Sequence, residues 1–319
     1  MKKIILLLLV AVPLAAQQFG QVGTSGAQLL KISFDPRASG LGNAATSVVN
    51  NAAAMYTNVA GLEGIQKGDV AFTYVPWFAG IRMVSLAGAY RIENIGVIGV
   101  QATGFSTSEE ITTIEMENGT GQTYSIQNMV FGISFARHIT EKLVIGGQAK
   151  YIRESYFDHS TSGIAFDLGS NYDLGFLGAH LAMTLQNFGP DLDPLTGSYN
   201  DYSDGNVEKG LLRTPLPVTF RASFTLEPVV TDAYRVRVIT DLIHPNDNVE
   251  HYCIGSEVLL FNLIAVRGGL KLNYDDERFA FGLGLKGSQF LGQDVRFDYS
   301  YEQFKTLPSI QKLSLGIGF

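Results

Sequence analysis

The sequence predicts an all-β protein, an antiparallel transmembrane β-barrel of about 14 strands. Three observations predict it. From Asp69 onward nearly every block alternates apolar residues with small or polar ones, the period of a strand with two unlike faces. The connections between blocks alternate in length. Mean hydropathy is slightly positive at +0.13, yet no apolar run after the amino terminus reaches the ~20 residues of a membrane helix. A barrel spreads its apolar residues over every second position and so shows no such run.

The amino terminus, Met1 to Ala16, reads MKKIILLLLVAVPLAA. Lys2 and Lys3 form a basic n-region, Ile4 to Val12 an apolar core, and Ala15-Ala16 a cleavage site, the layout of a secretory signal peptide. No cysteine follows, which excludes a lipoprotein. The mature chain is expected to start near Gln17, outside the cytoplasm. With Cys253 as the one cysteine, no internal disulfide can form and cysteine-rich metal sites are excluded. A net charge of −7 argues against nucleic acid as a partner.

Residues 17–66 lack the two-residue period and are rich in Ala, Gly and Asn, small residues that let backbone pack closely. Within them stand DPRASGLGNA, from Asp35, and NNAAAMYTNVAGL, ending at Leu62. This order resembles the amino-terminal signature of PorV/PorQ-type outer-membrane proteins, which in turn resemble FadL-type fatty-acid channels. The residues that carry the resemblance are Asp35, Pro36, Arg37, Gly40, Gly42, Asn58, Ala60 and Gly61, with Val59 where the family usually has proline. The resemblance implies a barrel of fourteen strands whose lumen holds this segment as a hatch, in the outer membrane of a Gram-negative-type bacterium.

The strands follow in order. Asp69–Phe78 and Ile81–Tyr90 form a first hairpin, then come Asn94–Phe105, Ser125–Arg137, Leu143–Arg153, Gly163–Tyr172 and Leu177–Phe188. The second half adds Pro217–Leu226, Tyr234–Leu242, Glu250–Val258, Ile264–Tyr274, Arg278–Lys286, Val295–Glu302 and the terminal Ser309–Phe319. In that last strand Leu313, Leu315, Ile317 and Phe319 share one face, and pairing with the first strand would close the wall. The two longest connections, 106–124 and 189–216, follow odd strands and should face outward. Arginine on the lipid face costs ~2–4 kcal/mol at mid-bilayer. The charged face, carrying Arg221, Arg235, Arg237, Asp241, Glu257, Arg267, Lys271, Arg296, Asp298 and Glu302, is therefore read as facing inward. Buried charges need partners, so these are expected to hold the hatch through Asp35, Arg37 and Glu63; a polar conduit is the other use for them.

Gly282, Gly284 and Gly287 spell GxGxxG, but inside a strand, where glycines ease packing rather than bind a dinucleotide. Asn118-Gly119-Thr120 marks a turn. Asp191, Asp193, Asp201 and Asp204 do not match a calcium loop. The histidines are scattered and no Ser/His/acid grouping is present. The chain is read as a non-enzyme without cofactor or metal.

The resemblance implies one main function, a component of type IX secretion that accepts cargo proteins and meets other components of that machinery at the outer-membrane lipid. Tyr199 and Tyr202, in the long loop 189–216, are the candidate docking residues. The alternative is FadL-like passive uptake of hydrophobic small molecules, which needs an apolar pocket; the first half of the wall, with fewer inward charges, has room for one. A purely structural barrel is a third possibility.

Overall fold

The computed structural model describes residues 22–319 apart from 111, 118, 158, 195–198, 201–207, 210–212 and 288–292. The signal segment, Tyr202, Asn118, Asp201 and Asp204 lie outside the described residues. The wall is a closed antiparallel barrel of fourteen strands. In chain order they are β1 (Gly68–Pro76), β2 (Arg82–Ile92), β3 (Gly96–Glu110), β4 (Thr123–His138), β5 (Leu143–Tyr156), β6 (His159–Asp173) and β7 (His180–Phe188). A two-residue pair in the long loop, β8 (Tyr199–Asn200) and β9 (Glu208–Lys209), stands apart from the wall. The ring continues with β10 (Thr219–Val230), β11 (Tyr234–Pro245), β12 (His251–Leu260), β13 (Ile264–Leu272), β14 (Glu277–Lys286), β15 (Asp294–Phe304) and β16 (Ile310–Gly318).

Each strand pairs with its sequence neighbour, β10 follows β7 around the ring, and β16 returns to β1. At the seam Val70 faces Ile317 and Phe72 faces Leu315. Gly68 and Phe319 close it by exchanging backbone hydrogen bonds of 2.9 Å in both directions. The Phe319 ring lies where a side chain at Gly68 would stand.

The alternation read from the sequence is the alternation of the wall. Phe131, Ile133, Phe166, Leu168, Phe281 and Leu283 are outward and exposed, while their neighbours Ser134, Asp167 and Ala280 are buried. A continuous exposed apolar belt of this kind needs a bilayer around it. No helix among the described residues is long and apolar enough to cross a membrane; the strands make the crossing.

Several strand ends differ from the sequence reading, each for a local reason. β7 starts at His180 because Leu177 has φ 48° and sits in a turn. Asn94 (φ 63°) is also a turn residue, and β3 starts at Gly96. β1 stops at Pro76, whose successors Phe78–Gly80 form a 3-10 turn. Tyr274 leaves β13 to stack on His251, ring centroids 4.0 Å apart. β3 to β6 each run several residues beyond their expected ends.

The orientation yields a test. Phe281→Arg places a cation on the lipid face and is expected to cut assembly into lipid vesicles, while Lys286→Ala, on the inner face, assembles normally. The boiled-versus-unboiled gel shift reads the folded fraction, and equal fractions for the two variants would reverse the assignment of faces.

Candidate functional site: the lumen and its hatch

Residues 22–66 run inside the barrel as short helical turns. A helical turn at Pro36–Gly40 is capped by the Asp35 carboxylate, which accepts from the Arg37 N–H at 2.9 Å, with Pro36 at a position whose missing N–H costs nothing. The 3-10 turns Ala52–Tyr56 and Val59–Gly64 are capped in the same way by Asn51 and Asn58. Asn58, 2% exposed, also donates to the carbonyls of Thr46 at 2.9 Å and Ser170 at 3.0 Å, tying two hatch segments to β6. Val59 occupies the first helical position, where proline would fit equally well.

The hatch lies directly on the inner wall because the wall is glycine there. Gly255, Gly269 and Gly282 form one bare patch under Gly40, Leu41 and Gly42. A Cβ on Gly40 would stand 2.7 Å from the Gly282 Cα, and one on Gly269 would collide with the backbone of Leu41 and Gly42. A second patch, Gly99, Gly146 and Gly169, receives Met55, Ala60 and Asn58. Gly61 is constrained inside the hatch instead, against the Val49 carbonyl. The GxGxxG run thus owes Gly282 to hatch contact, and Gly284 to room for the Arg267 and Asp298 side chains.

Polar clamps hold the hatch from the side. Glu257, 4% exposed, gathers three guanidiniums: Arg37 of the hatch at 2.8 Å, Arg237 at 2.7 Å and Arg267 at 2.8 Å. Arg267 also binds Asp298 at 2.5 Å. Asp241 accepts from the backbone N–H groups of Ala45 and Thr46, from the Thr46 hydroxyl at 2.6 Å and from Ser223. Lys271 joins Glu277 and Glu302, and Glu302 joins Lys312, whose ammonium donates to the Ser33 carbonyl at 2.9 Å and the Ser39 hydroxyl at 2.8 Å. Arg296 bridges β15 to Asp69 of β1 and to Asp294. Arg235 comes within 3.7 Å of Glu227, and among the described residues no hydrogen bond or ion pair ties it to the hatch.

Of the three hatch charges expected to anchor it, Arg37 does so through Glu257. Glu63 pairs with Arg91 of β2 at 2.8 Å, a residue the charge list left out. Asp35 caps its own turn, and its second oxygen has no hydrogen-bond partner. Burial, reinforced by the nearby Asp298 carboxylate and opposed by Arg37, pushes the Asp35 acid up to about 6. Lys312 and Lys150 also occupy inward positions of strands read from the sequence, though neither was singled out there; Lys150 pairs at 2.7 Å with Asp167, which the alternation places opposite Phe166 and Leu168.

In the first half of the wall, apolar inward residues are interleaved with buried polar ones such as Thr103, Asn128 and Glu154. Ile310, Val75, Met83, Val130, Ile152 and Ala165 face inward from β16 through β6 at the end bearing the long connections. Val75 pairs with Met83, and Val130 with Ile152. The apolar side chains of Leu29 and Phe34 pack on this arc.

The arc ends at a gap in the wall. β6 pairs with β7 only from Phe166 to Asp173, and β10 meets β7 no higher than Gln186. Residues 159–165 of β6 therefore lack a strand partner in β7. A bulge marks the last rung: Asn187, at φ 60°, donates its N–H to the Asp167 carboxylate at 2.7 Å instead of to a carbonyl. The roots of the long loop cover the gap. Asp193 N–H donates to Ser162 at 3.0 Å, Leu192 N–H donates to Thr214 at 2.8 Å, and Leu192 presses against Gly163 and Gly26. Leu192 and Leu216 are each 2% exposed. At the described roots of this loop Leu192 and Leu216 are buried, while Pro190, Asp191, Asp193, Arg213 and Pro215 are exposed. The Tyr199 backbone pairs with Lys209.

No family model and no curated protein sequence matches this chain. Solved structures do. The CymD monoaromatic hydrocarbon channel is 13% identical, with TM-score 0.59 over 90% of this chain and 98% of that one. A Pseudomonas aeruginosa FadL homologue is 10% identical, with TM-score 0.60 over 90% and 98%. The Ralstonia pickettii toluene transporter TbuX is 14% identical, with TM-score 0.54 over 89% and 97%. At such identities the likeness is one of fold, and these neighbours are channels and transporters rather than enzymes. The chain is an outer-membrane β-barrel with a FadL-like fold.

Two outcomes test the hatch seat. Gly269→Val is expected to leave a heat-modifiable barrel but expose the hatch to trypsin at Lys31 and Arg37; a hatch as resistant as wild type would show that the glycine patch is dispensable. Asp35 is raised in the folded state, so its contribution to stability is complete below 3.8 and is lost as pH rises through about 6. Asp35→Asn keeps the capping oxygen and should flatten that part of the decline in thermal midpoint between pH 4 and 7. An unchanged slope would assign it to other groups.

Proposed function

We propose that this barrel admits small apolar molecules and passes them between its lumen and the bilayer through the gap above β7. One observation carries the reading: the apolar inner arc from Ile310 to Ala165 runs to that gap and ends there under Leu192 and Leu216. A barrel lumen is ordinarily polar, so six inward apolar side chains on neighbouring strands call for an apolar passenger. The cover is held by a few backbone bonds and two leucines, not by wall ladder, which makes it the part of the wall that opens at least cost. The arginine clamps on the opposite side keep the hatch seated meanwhile. Monoaromatic hydrocarbons and toluene, named for two of the structural neighbours, are the first passengers to try.

Cargo handling in type IX secretion rests on the amino-terminal resemblance alone.

A reversible lock tests the proposal. An ideal Cβ at Gly163 lies 3.6 Å from the Leu192 Cα, close enough for a Gly163→Cys/Leu192→Cys disulfide to pin the cover to β6. In cells whose own hydrocarbon channel is deleted, uptake of labelled toluene should fall about tenfold when the pair is oxidised and return on reduction, a difference of roughly 1.4 kcal/mol in effective barrier. Uptake that ignores the redox state, or that equals the empty host throughout, would overturn it. Unimpaired toluene uptake in the native host after gene deletion, together with lost secretion of signal-bearing cargo, would favour the secretion role.

A further inference from the structure

The lipid face of the wall is not uniform. Across β4, β5 and β6 it carries a groove of about 370 Å³, within the ~300–1,000 Å³ range of small-ligand pockets. Its floor is β5, where Gly147 and Ala149 face outward with almost no side chain. Its banks are Ile133 and Phe135 on β4 and Phe166 and Leu168 on β6. The register sets these in two rungs. Gly147 lies between Phe135 and Leu168, and Ala149 between Ile133 and Phe166. On β14 and β15, by contrast, outward rungs pair large residues with large, Phe281 with Tyr301 and Leu283 with Tyr299.

A cation stands at the foot of this groove. Arg137, two residues beyond Phe135 on the same face of β4, pairs with Ile145, two residues before Gly147. It is exposed, and among the described residues no ion pair or side-chain hydrogen bond holds its guanidinium. Inward cations of the same half of the wall are matched, Arg91 with Glu63 and Lys150 with Asp167. β4 ends at His138, so Arg137 lies at the rim of the barrel, where a charge on the lipid face costs little. The turn that follows adds exposed Lys142 and one carboxylate, Glu141. Arg153, the other outward arginine of these three strands, stands farther off, beyond Ala149 and Tyr151.

We infer that this groove holds one acyl chain of a phospholipid whose phosphate rests on Arg137. The belt on either side already faces lipid, so the occupant is drawn from the solvent of this surface. A chain lying in the groove touches a floor and two banks, where a chain on the flat belt touches one side, and each added contact contributes dispersion attraction. A guanidinium fork matches phosphate oxygens in two parallel bonds. A hydrocarbon passenger would make no use of that charge. The site stands apart from the channel reading: it lies on the outer face and uses none of the residues of the inner arc or its cover.

Native mass spectrometry of the full-length protein in detergent, with phosphatidylglycerol added in excess, tests it. Wild type is expected to retain one lipid per barrel. Diacylglycerol with the same chains lacks the phosphate and should be retained about fivefold less, the factor one basic residue supplies near an anionic headgroup. Gly147→Leu fills the floor, and an ideal Cβ there lies 3.8 Å from its nearest neighbours, so the wall accepts it. This variant and Arg137→Gln should each lower phosphatidylglycerol retention at least about fivefold, with Arg137→Lys restoring part of the loss. All variants are first checked for the unboiled gel shift. Equal retention by wild type and Gly147→Leu overturns the assignment, as does equal retention of the two lipids. Absence of retained lipid on folded wild type overturns it too. A dimer that Gly147→Leu dissolves would give the groove to a second copy of the chain instead. Toluene uptake indifferent to the Gly163/Leu192 lock, with lipid retention still lost in Gly147→Leu, would remove the channel reading and leave this one standing.

Discussion

Hydrocarbon offers a peptide group no hydrogen-bond partner, so every N–H and C=O at membrane depth has to find one within the wall. The ring closed by Gly68 and Phe319 is the answer to that constraint, and the rest of the molecule follows from it. A closed ring of alternating residues puts one face in lipid and the other in an enclosed space. Once Phe, Leu, Ile and Val take the outer face, the arginines and carboxylates have only the interior, where each must be matched.

That interior is filled by the chain itself. A hatch can lie against a strand at backbone distance only where the strand carries no Cβ, and the two glycine patches provide this on opposite parts of the wall. The hatch supplies the complementary smallness with Gly40, Gly42 and Ala60. Its helical turns are too short to satisfy their own ends, so the capping residues Asp35, Asn51 and Asn58 and the wall residues Asp241 and Lys312 complete the hydrogen bonding. The seat is therefore steric and polar together, with Glu257 drawing three guanidiniums to one point.

Between polar inward residues such as Thr103, Asn128, Lys150 and Asp167, the strands from β16 through β6 carry an apolar arc that takes no part in the ionic clamps. The shortness of β7 then interrupts the wall just where this lining ends. Loop residues stand in for the missing rungs, and a bulge at Asn187 terminates the ladder through a side chain rather than a carbonyl. The proposed passage joins these two features.

The alternation of small windows such as Met129–Ala136 or Val295–Glu302 was enough to identify the wall and its lipid face, since side-chain period and the cost of charge in lipid are local properties. The even strand count and the long connections were legible for the same reason. The small-residue run from Asp35 to Leu62 marked the hatch as a closely packed segment. What it packs on was not legible: Gly269 and Gly282 are ordinary strand glycines until the fold brings Leu41 and Gly40 over them. The sequence likewise singled out Arg37 and Glu257 as charges without pairing them across 220 positions. The early ending of β7 and the burial of Leu192 and Leu216 depend on where distant segments meet in three dimensions. By itself the sequence determined which face each residue of the wall takes, because that is set by its immediate neighbours; only the tertiary structure decided which inward residues meet, because the closed ring brings together strands and hatch segments that lie far apart along the chain.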